Sequence, residues 1–190
     1  MKEQKIMNKT SMTGNVSENM SPLVYSKTLE LTMTALFIAL TYVATAFINV
    51  RIPFLAANGG LIHLGNVPVF IAAAIYGRRT GAFAGALGMA MFDLSCGWVA
   101  WAPFTFVICG LIGFVYGSIT KEKRGKLSLI FGVIIAAVIK VAGYYIAEGI
   151  IYGNWVVPVT SIPGNLVQIG VAGIIAVPLI LVLKKVLPNG

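Results

Sequence analysis

The sequence predicts an all-α integral membrane protein: six transmembrane helices in a compact single bundle, with both termini on the cytoplasmic side. Three observations carry this. Apolar residues make up 58% of the 190 and charged residues only 11%, with a mean hydropathy of +0.89. A soluble domain carries about a quarter charged residues, so this chain is too poor in charge to clothe a globule in wettable surface. Apolar runs recur six times, and the basic residues crowd into alternate connections.

Residues 1–27 are rich in Ser, Asn, Lys and Met. They have no apolar core leading to a small-residue cleavage site, so they read as a polar cytoplasmic tail rather than a signal peptide. Residues 28–186 read as the membrane domain. A hydrocarbon core about 30 Å thick calls for about 20 apolar residues per helix. The predicted spans are residues 29–49, 65–76, 80–96, 103–120, 127–151 and 162–183. The second is too short to cross on its own unless it borrows from 61–64 or sits where the protein is thin.

The connections set the orientation. Lys2, Lys5, Lys9 and Lys27 precede the first span, and Arg78 and Arg79 join the second to the third. Lys121, Lys123, Arg124 and Lys126 join the fourth to the fifth, and Lys184 and Lys185 follow the sixth. Twelve of the 14 basic residues thus lie on one side of a six-span chain. That side is cytoplasmic by the positive-inside rule. An odd number of spans would scramble the alternation.

With direction fixed, polar groups inside the spans fall at one depth. His63 and Asn66, in "GLIHLGNVP", introduce the second span from outside. Asp93 lies in the outer third of the third span. Trp98 and Trp101 flank the outer connection "CGWVAWAPF", and Trp155 sits in "YGNWVVP". In the fifth span Lys140, Tyr144 and Glu148 are spaced four and four, which stacks them close to one helix face. Lys140 and Glu148 are about 12 Å apart along the axis, too far to pair directly. Asn165 and Gln168, in "SIPGNLVQIG", open the sixth span. The inner halves hold little beyond scattered Thr and Ser.

Each group has a plainer alternative. The tryptophans are also what interfacial anchoring requires. Lys140 is also placed to pair with Asp93, and Asn165 and Gln168 to bond helix to helix. His63 also suits an ordinary loop position, and Arg51 a solvated or headgroup contact. Their shared depth is the informative feature: it describes one outward-facing cavity with a closed floor. A through-pore needs polar lining along its full length. A proton-coupled carrier usually shows ionisable groups at mid-depth in several helices and a repeat between halves, and no repeat is visible.

Other chemistries fit less well. The charge of +8 has no basic, aromatic-interleaved stretch behind it, so no nucleic acid is implied. One histidine cannot furnish a metal centre, and Cys96 and Cys109 read as small packing residues. Ser95 lacks the context of an intramembrane protease. Small residues recur as Ala35-x-x-x-Ala39 in the first span, and as Gly77, Gly81, Gly85 and Gly88 in "GRRTGAFAGALG". Such stripes let helices approach closely, whether within the bundle or against a separate membrane subunit.

Taken together, the Ala-x-x-x-Ala of the first span, "HLGNVPVFIAAAIYGRRTGAFAGALGMAMFDL" and "WAPFTFVICGLIGFVYG" resemble the S components of energy-coupling factor (ECF) transporters. These are the substrate-capturing subunits of bacterial vitamin importers. The resemblance covers essentially the whole chain after the tail and stands closest to members for hydroxymethylpyrimidine or pyridoxine-type substrates. It implies a non-catalytic, multi-pass subunit of the bacterial plasma membrane that topples in the lipid bilayer. It also implies partners, one membrane coupling subunit and two cytoplasmic ATPases that consume ATP, with Ala35 and Ala39 matching the docking motif. No Walker A loop occurs in this chain, which agrees with ATP use elsewhere. The residues that would hold the substrate are His63, Asn66, Asp93, Trp98, Trp101, Lys140, Tyr144, Glu148, Asn165 and Gln168. Pantothenate, riboflavin or thiamine remain alternative substrates, and a stand-alone small carrier is the alternative from another class.

Overall fold

A computed structural model describes residues 22–51, 60–122 and 125–186. Most of the predicted tail, residues 1–21, and the basic residues Lys2, Lys5, Lys9, Lys123 and Arg124 lie outside the described residues. Among the described residues six helices follow one another: α1 (Pro22–Phe47), α2 (Asn66–Ile75), α3 (Arg78–Ser95), α4 (Ala102–Glu122), α5 (Lys126–Tyr152) and α6 (Ile162–Val186). Each coincides with one predicted apolar run. The short second run is a ten-residue helix, as its length requires. A small hairpin between α1 and α2 was not expected: β1 (Asn49–Arg51) pairs antiparallel with β2 (Leu61–His63). A 3₁₀ turn, Val157–Ser161, leads into α6.

Residues from Met33 onward form one packed unit; residues up to Thr32 belong to a separate one. Within the packed unit α4 runs antiparallel to α3 and to α5, and the glycine stripe explains how closely α3 packs on its neighbours. A Cβ on Gly81 would meet Ala73 of α2 and the Gly113 carbonyl of α4. One on Gly113 would meet the Gly81 backbone, and one on Gly85 the Cys109 carbonyl. A Cβ on Gly88 would meet Thr41 and the Ile38 carbonyl of α1. The glycines of α3 are therefore internal packing surfaces: backbone touches backbone where a side chain would hold the helices apart.

The stripe of α1 behaves differently. Ala35 and Ala39 are exposed, flanked by exposed Leu36, Leu40 and Val43. On α5 an outward stripe at helical spacing, Leu127, Phe131, Ile134 and Val138, is likewise uncovered. Contiguous apolar faces of this kind belong in lipid or against another protein. Among the described residues four helices, α1, α4, α5 and the segment Val157–Val186, are long and apolar enough to cross a membrane. α3 carries Arg78, Arg79 and Asp93. α2, at about 15 Å, reaches halfway across a hydrocarbon core. Protein surrounds it instead: Val69, Phe70 and Ala72 are fully buried.

The main core lies between α2, α4, α5 and α6. Phe70 stacks on Tyr116 at 4.4 Å, and Ile108, Ile112, Leu129, Ala136, Ala172 and Ile180 close around them. Cys109 is buried beside Val69 and Met89, as a packing residue should be, but Cys96 is exposed at the end of α3.

Candidate functional site

Eight of the ten predicted substrate residues meet in one cavity. His63, Asp93, Trp98, Trp101, Lys140, Tyr144, Asn165 and Gln168 line it, joined by Leu61 and Thr105. The cavity encloses about 70 Å³. It occupies the end of the bundle formed by the hairpin, the α3–α4 turn, the C-terminal half of α5 and the start of α6.

Local backbone chemistry explains how each element delivers its residues. Gly97 adopts φ +89°, which only glycine takes easily, and the Trp98 N–H returns 2.8 Å to the Asp93 carbonyl. This turn terminates α3 and sets Trp98 beside Asp93. The Trp101 N–H then closes onto the Trp98 carbonyl at 2.9 Å, starting α4 within one turn. The two indoles meet edge-on at 5.3 Å, and Trp101 meets Tyr152 similarly at 6.0 Å.

On the opposite wall, the Lys140 ammonium sits 4.8 Å from the centre of the Tyr144 ring, the neighbour its four-residue spacing provides. The Tyr144 hydroxyl shares a hydrogen bond of 3.1 Å with the Thr105 hydroxyl, tying α5 to α4. Gln168 donates to the His63 carbonyl at 3.2 Å and so ties α6 to the hairpin. The Gly65 N–H donates to His63 Nδ1 at 3.2 Å. Burial first, and Lys140 second, push the His63 imidazole down to about 3, so it stays neutral and can accept that bond. Beyond Thr105 toward the C-terminus of α4, Ile108, Ile112 and Tyr116 are buried in the apolar core, so the site has a floor.

Three atoms on these walls lack hydrogen-bond partners among the described residues. Asp93 Oδ2, Trp98 Nε1 and Trp101 Nε1 are buried with no hydrogen bond. Leaving such a group unsatisfied costs about 1–3 kcal/mol, and more for a charge. A solute that offers one donor and acceptors would recover that.

Two predicted residues lie elsewhere. Glu148 is fully buried and accepts a 2.6 Å bond from the Ser161 hydroxyl, linking α5 to the 3₁₀ turn. Eight residues along a helix rotate the side chain about 80° from Lys140, enough to carry it off the cavity face. Asn66 is buried with both amide atoms unpaired, but it is not a wall of the cavity. Its neighbour Gly65 is pressed against Thr45 and Met89, which seats the first turn of α2 on α1 and α3. Trp155 covers Gly149 and receives the Tyr145 hydroxyl on its carbonyl at 2.8 Å, away from the site. Thr105 was missed. Its signal was its place one turn after Trp101, which puts both on the same face of α4.

Residues 25–185 match the family profile of the ECF-type riboflavin transporter, S component. The chain belongs to that family. The resemblance of the sequence motifs to ECF S components is thereby borne out, and this S component is a membrane subunit of vitamin or vitamin-precursor uptake. A Lactococcus lactis subsp. cremoris protein, the thiamine precursor transporter HmpT, is 27% identical over 147 residues. The match covers 77% of this chain and 82% of that protein, and it supports the placement near hydroxymethylpyrimidine-type members. An uncharacterized protein of Pyrococcus woesei is 30% identical over 111 residues, 58% of this chain and 72% of its own. Among solved structures, the S component of a bacterial ECF transporter superposes with a TM-score of 0.70 at 24% identity. That superposition covers 86% of this chain and 99% of the other, and it shows that the fold is shared.

Proposed function

We propose that this S component captures a water-soluble vitamin precursor with a single aromatic ring, hydroxymethylpyrimidine or pyridoxine. It delivers the precursor to a coupling subunit served by two ATPases. In this reading the six helices form the plasma-membrane domain, α2 being carried part-way across inside the bundle, the termini and the residue 1–27 tail face the cytoplasm, and the cavity opens outward. ATP is consumed only by the partners.

The observation that carries the reading is the cavity: aromatic, cationic, anionic and amide groups from five elements gathered above an apolar floor. Its size favours one ring. At roughly 10–15 Å³ for each water-sized sphere, a space of about 70 Å³ takes some five to seven such spheres, fewer than a three-ring flavin needs. Trp98 and Trp101 supply stacking faces and indole N–H donors for ring nitrogens. Asp93 accepts from an amino or protonated ring nitrogen, and Lys140 donates to a hydroxyl or phenolate oxygen. Asn165 and Gln168 complete the polar rim. The alanine stripe on α1, being exposed, is available for the coupling subunit.

A panel of B vitamins and precursors, titrated calorimetrically into detergent-purified protein, tests this. Submicromolar binding of hydroxymethylpyrimidine or pyridoxine is expected; tight binding of riboflavin alone would replace the substrate assignment. Ala35→Trp combined with Ala39→Trp should leave binding unchanged and abolish uptake in cells. Equal loss of both would make the stripe part of the internal packing.

A further inference from the structure

Arg51 ends β1 and stands opposite Leu61 in the hairpin, and Leu61 is a wall of the cavity. Its side chain is exposed, and its guanidinium carbon lies 5.7 Å over the Trp98 ring. Trp98 in turn leans edge-on against Trp101, and both line the cavity with indole nitrogens that lack partners. The hairpin and the α3–α4 turn, 47 residues apart between Arg51 and Trp98, therefore meet through a cation on an aromatic face. A solvated lysine-like contact would not require this placement. A planar guanidinium stacks on an indole with its charge over the negative face of the ring.

We propose that Arg51 is a positioning residue for the ligand: it pins Trp98, and through Trp98 its neighbour Trp101, in the orientation that receives the solute. The inference rests on the capture function proposed above and adds a residue outside the cavity wall to it. Physically, an indole held in one orientation before binding spares the ordering cost of fixing it afterwards. Releasing it should shorten the life of the complex more than it slows encounter, because changes within one interface act mostly on dissociation. A cation–π contact at an exposed site corresponds to about a two- to fivefold change in affinity.

The test uses the full chain in lipid nanodiscs, with hydroxymethylpyrimidine and pyridoxine as probes. Arg51→Met should raise Kd and the dissociation rate two- to fivefold, and Arg51→Lys less. In a Trp98→Leu background Arg51→Met should have no further effect, since the ring it acts through is gone. Arg78→Met is the control: Arg78 lies 5.1 Å over the Phe114 ring, away from the cavity, and its loss should leave Kd unchanged. An unchanged Kd in Arg51→Met, or the same loss with and without Trp98, overturns the inference while leaving the capture function intact. A wild-type protein that binds neither probe overturns the substrate assignment instead. Acrylamide quenching then decides on Arg51, in a protein keeping Trp98 alone through Trp101→Phe and Trp155→Phe. Greater quenching in Arg51→Met supports the pinned ring; unaltered quenching overturns it.

Discussion

The α4–α5 pair reads as two different materials along its length. At one end Thr105, Tyr144 and Lys140 face a cavity, joined by a hydroxyl–hydroxyl bond and a cation over a ring. At the other, Tyr116 lies against Gly132 and stacks on Phe70, within a core of Ile112, Leu129 and Ile180. The same two helices thus spend one half on recognition and the other on cohesion. The half away from the cavity can be tightly packed because it need not admit a solute. The cavity end keeps, on the adjoining α3 and α3–α4 turn, unsatisfied Asp93, Trp98 and Trp101 atoms that packing would otherwise have eliminated.

If that division is right, substitutions at the two ends should fail in different ways. The largest effect belongs to the packed end. Gly113→Leu places a side chain into the Gly81 backbone, which cannot move aside without separating α3 from α4. Overpacking a core costs about 1–3 kcal/mol where neighbours are flexible and more where they are backbone, so little folded protein should survive size-exclusion chromatography. A well-folded Gly113→Leu protein would mean that the seam is looser than described.

Next comes the recognition end. Asp93→Ala should leave a folded protein whose affinity falls about 10- to 100-fold, the range for a hydrogen bond to a charged group. Calorimetry at constant ionic strength checks it, and an unchanged Kd would remove Asp93 from the site.

The smallest effect on binding is expected from Ser161→Ala. It takes away one donor that Glu148 accepts from, off the cavity. Affinity should stay within about twofold, while the melting temperature falls by about 2–4 °C per kcal/mol lost, with a hydrogen bond to a charged group contributing about 1.5–3 kcal/mol. A tenfold loss of affinity would put Glu148 back among the ligand contacts.

The sequence made the helices plain because lipid imposes length and apolarity on each span. The polar groups stood out because they are costly in such runs. Rotation about each helix axis was the harder quantity. Lys140 and Tyr144, one turn apart, share a face, whereas Glu148, a further turn on, drifts to the 3₁₀ turn and Ser161. Asn66 lies off the cavity for a related reason: the contact of Gly65 with Thr45 and Met89 seats its helix end against α1 and α3. Thr105 passed unnoticed because a threonine in a span has little individual signal until a partner such as Tyr144 is known. The hairpin was illegible because three-residue strands carry no usable alternation.

The division between the two ends is tested most directly by cysteine accessibility in sealed cells. In a Cys96→Ser background, Asn165→Cys or Gln168→Cys should react with a membrane-impermeant maleimide added outside, and hydroxymethylpyrimidine or pyridoxine should slow that reaction. Tyr116→Cys should stay unreactive from either side. Labelling of Tyr116→Cys from outside, or of Asn165→Cys from the cytoplasm in inverted vesicles without the partner subunits, would mean a continuous wet passage and would contradict the capture-subunit account.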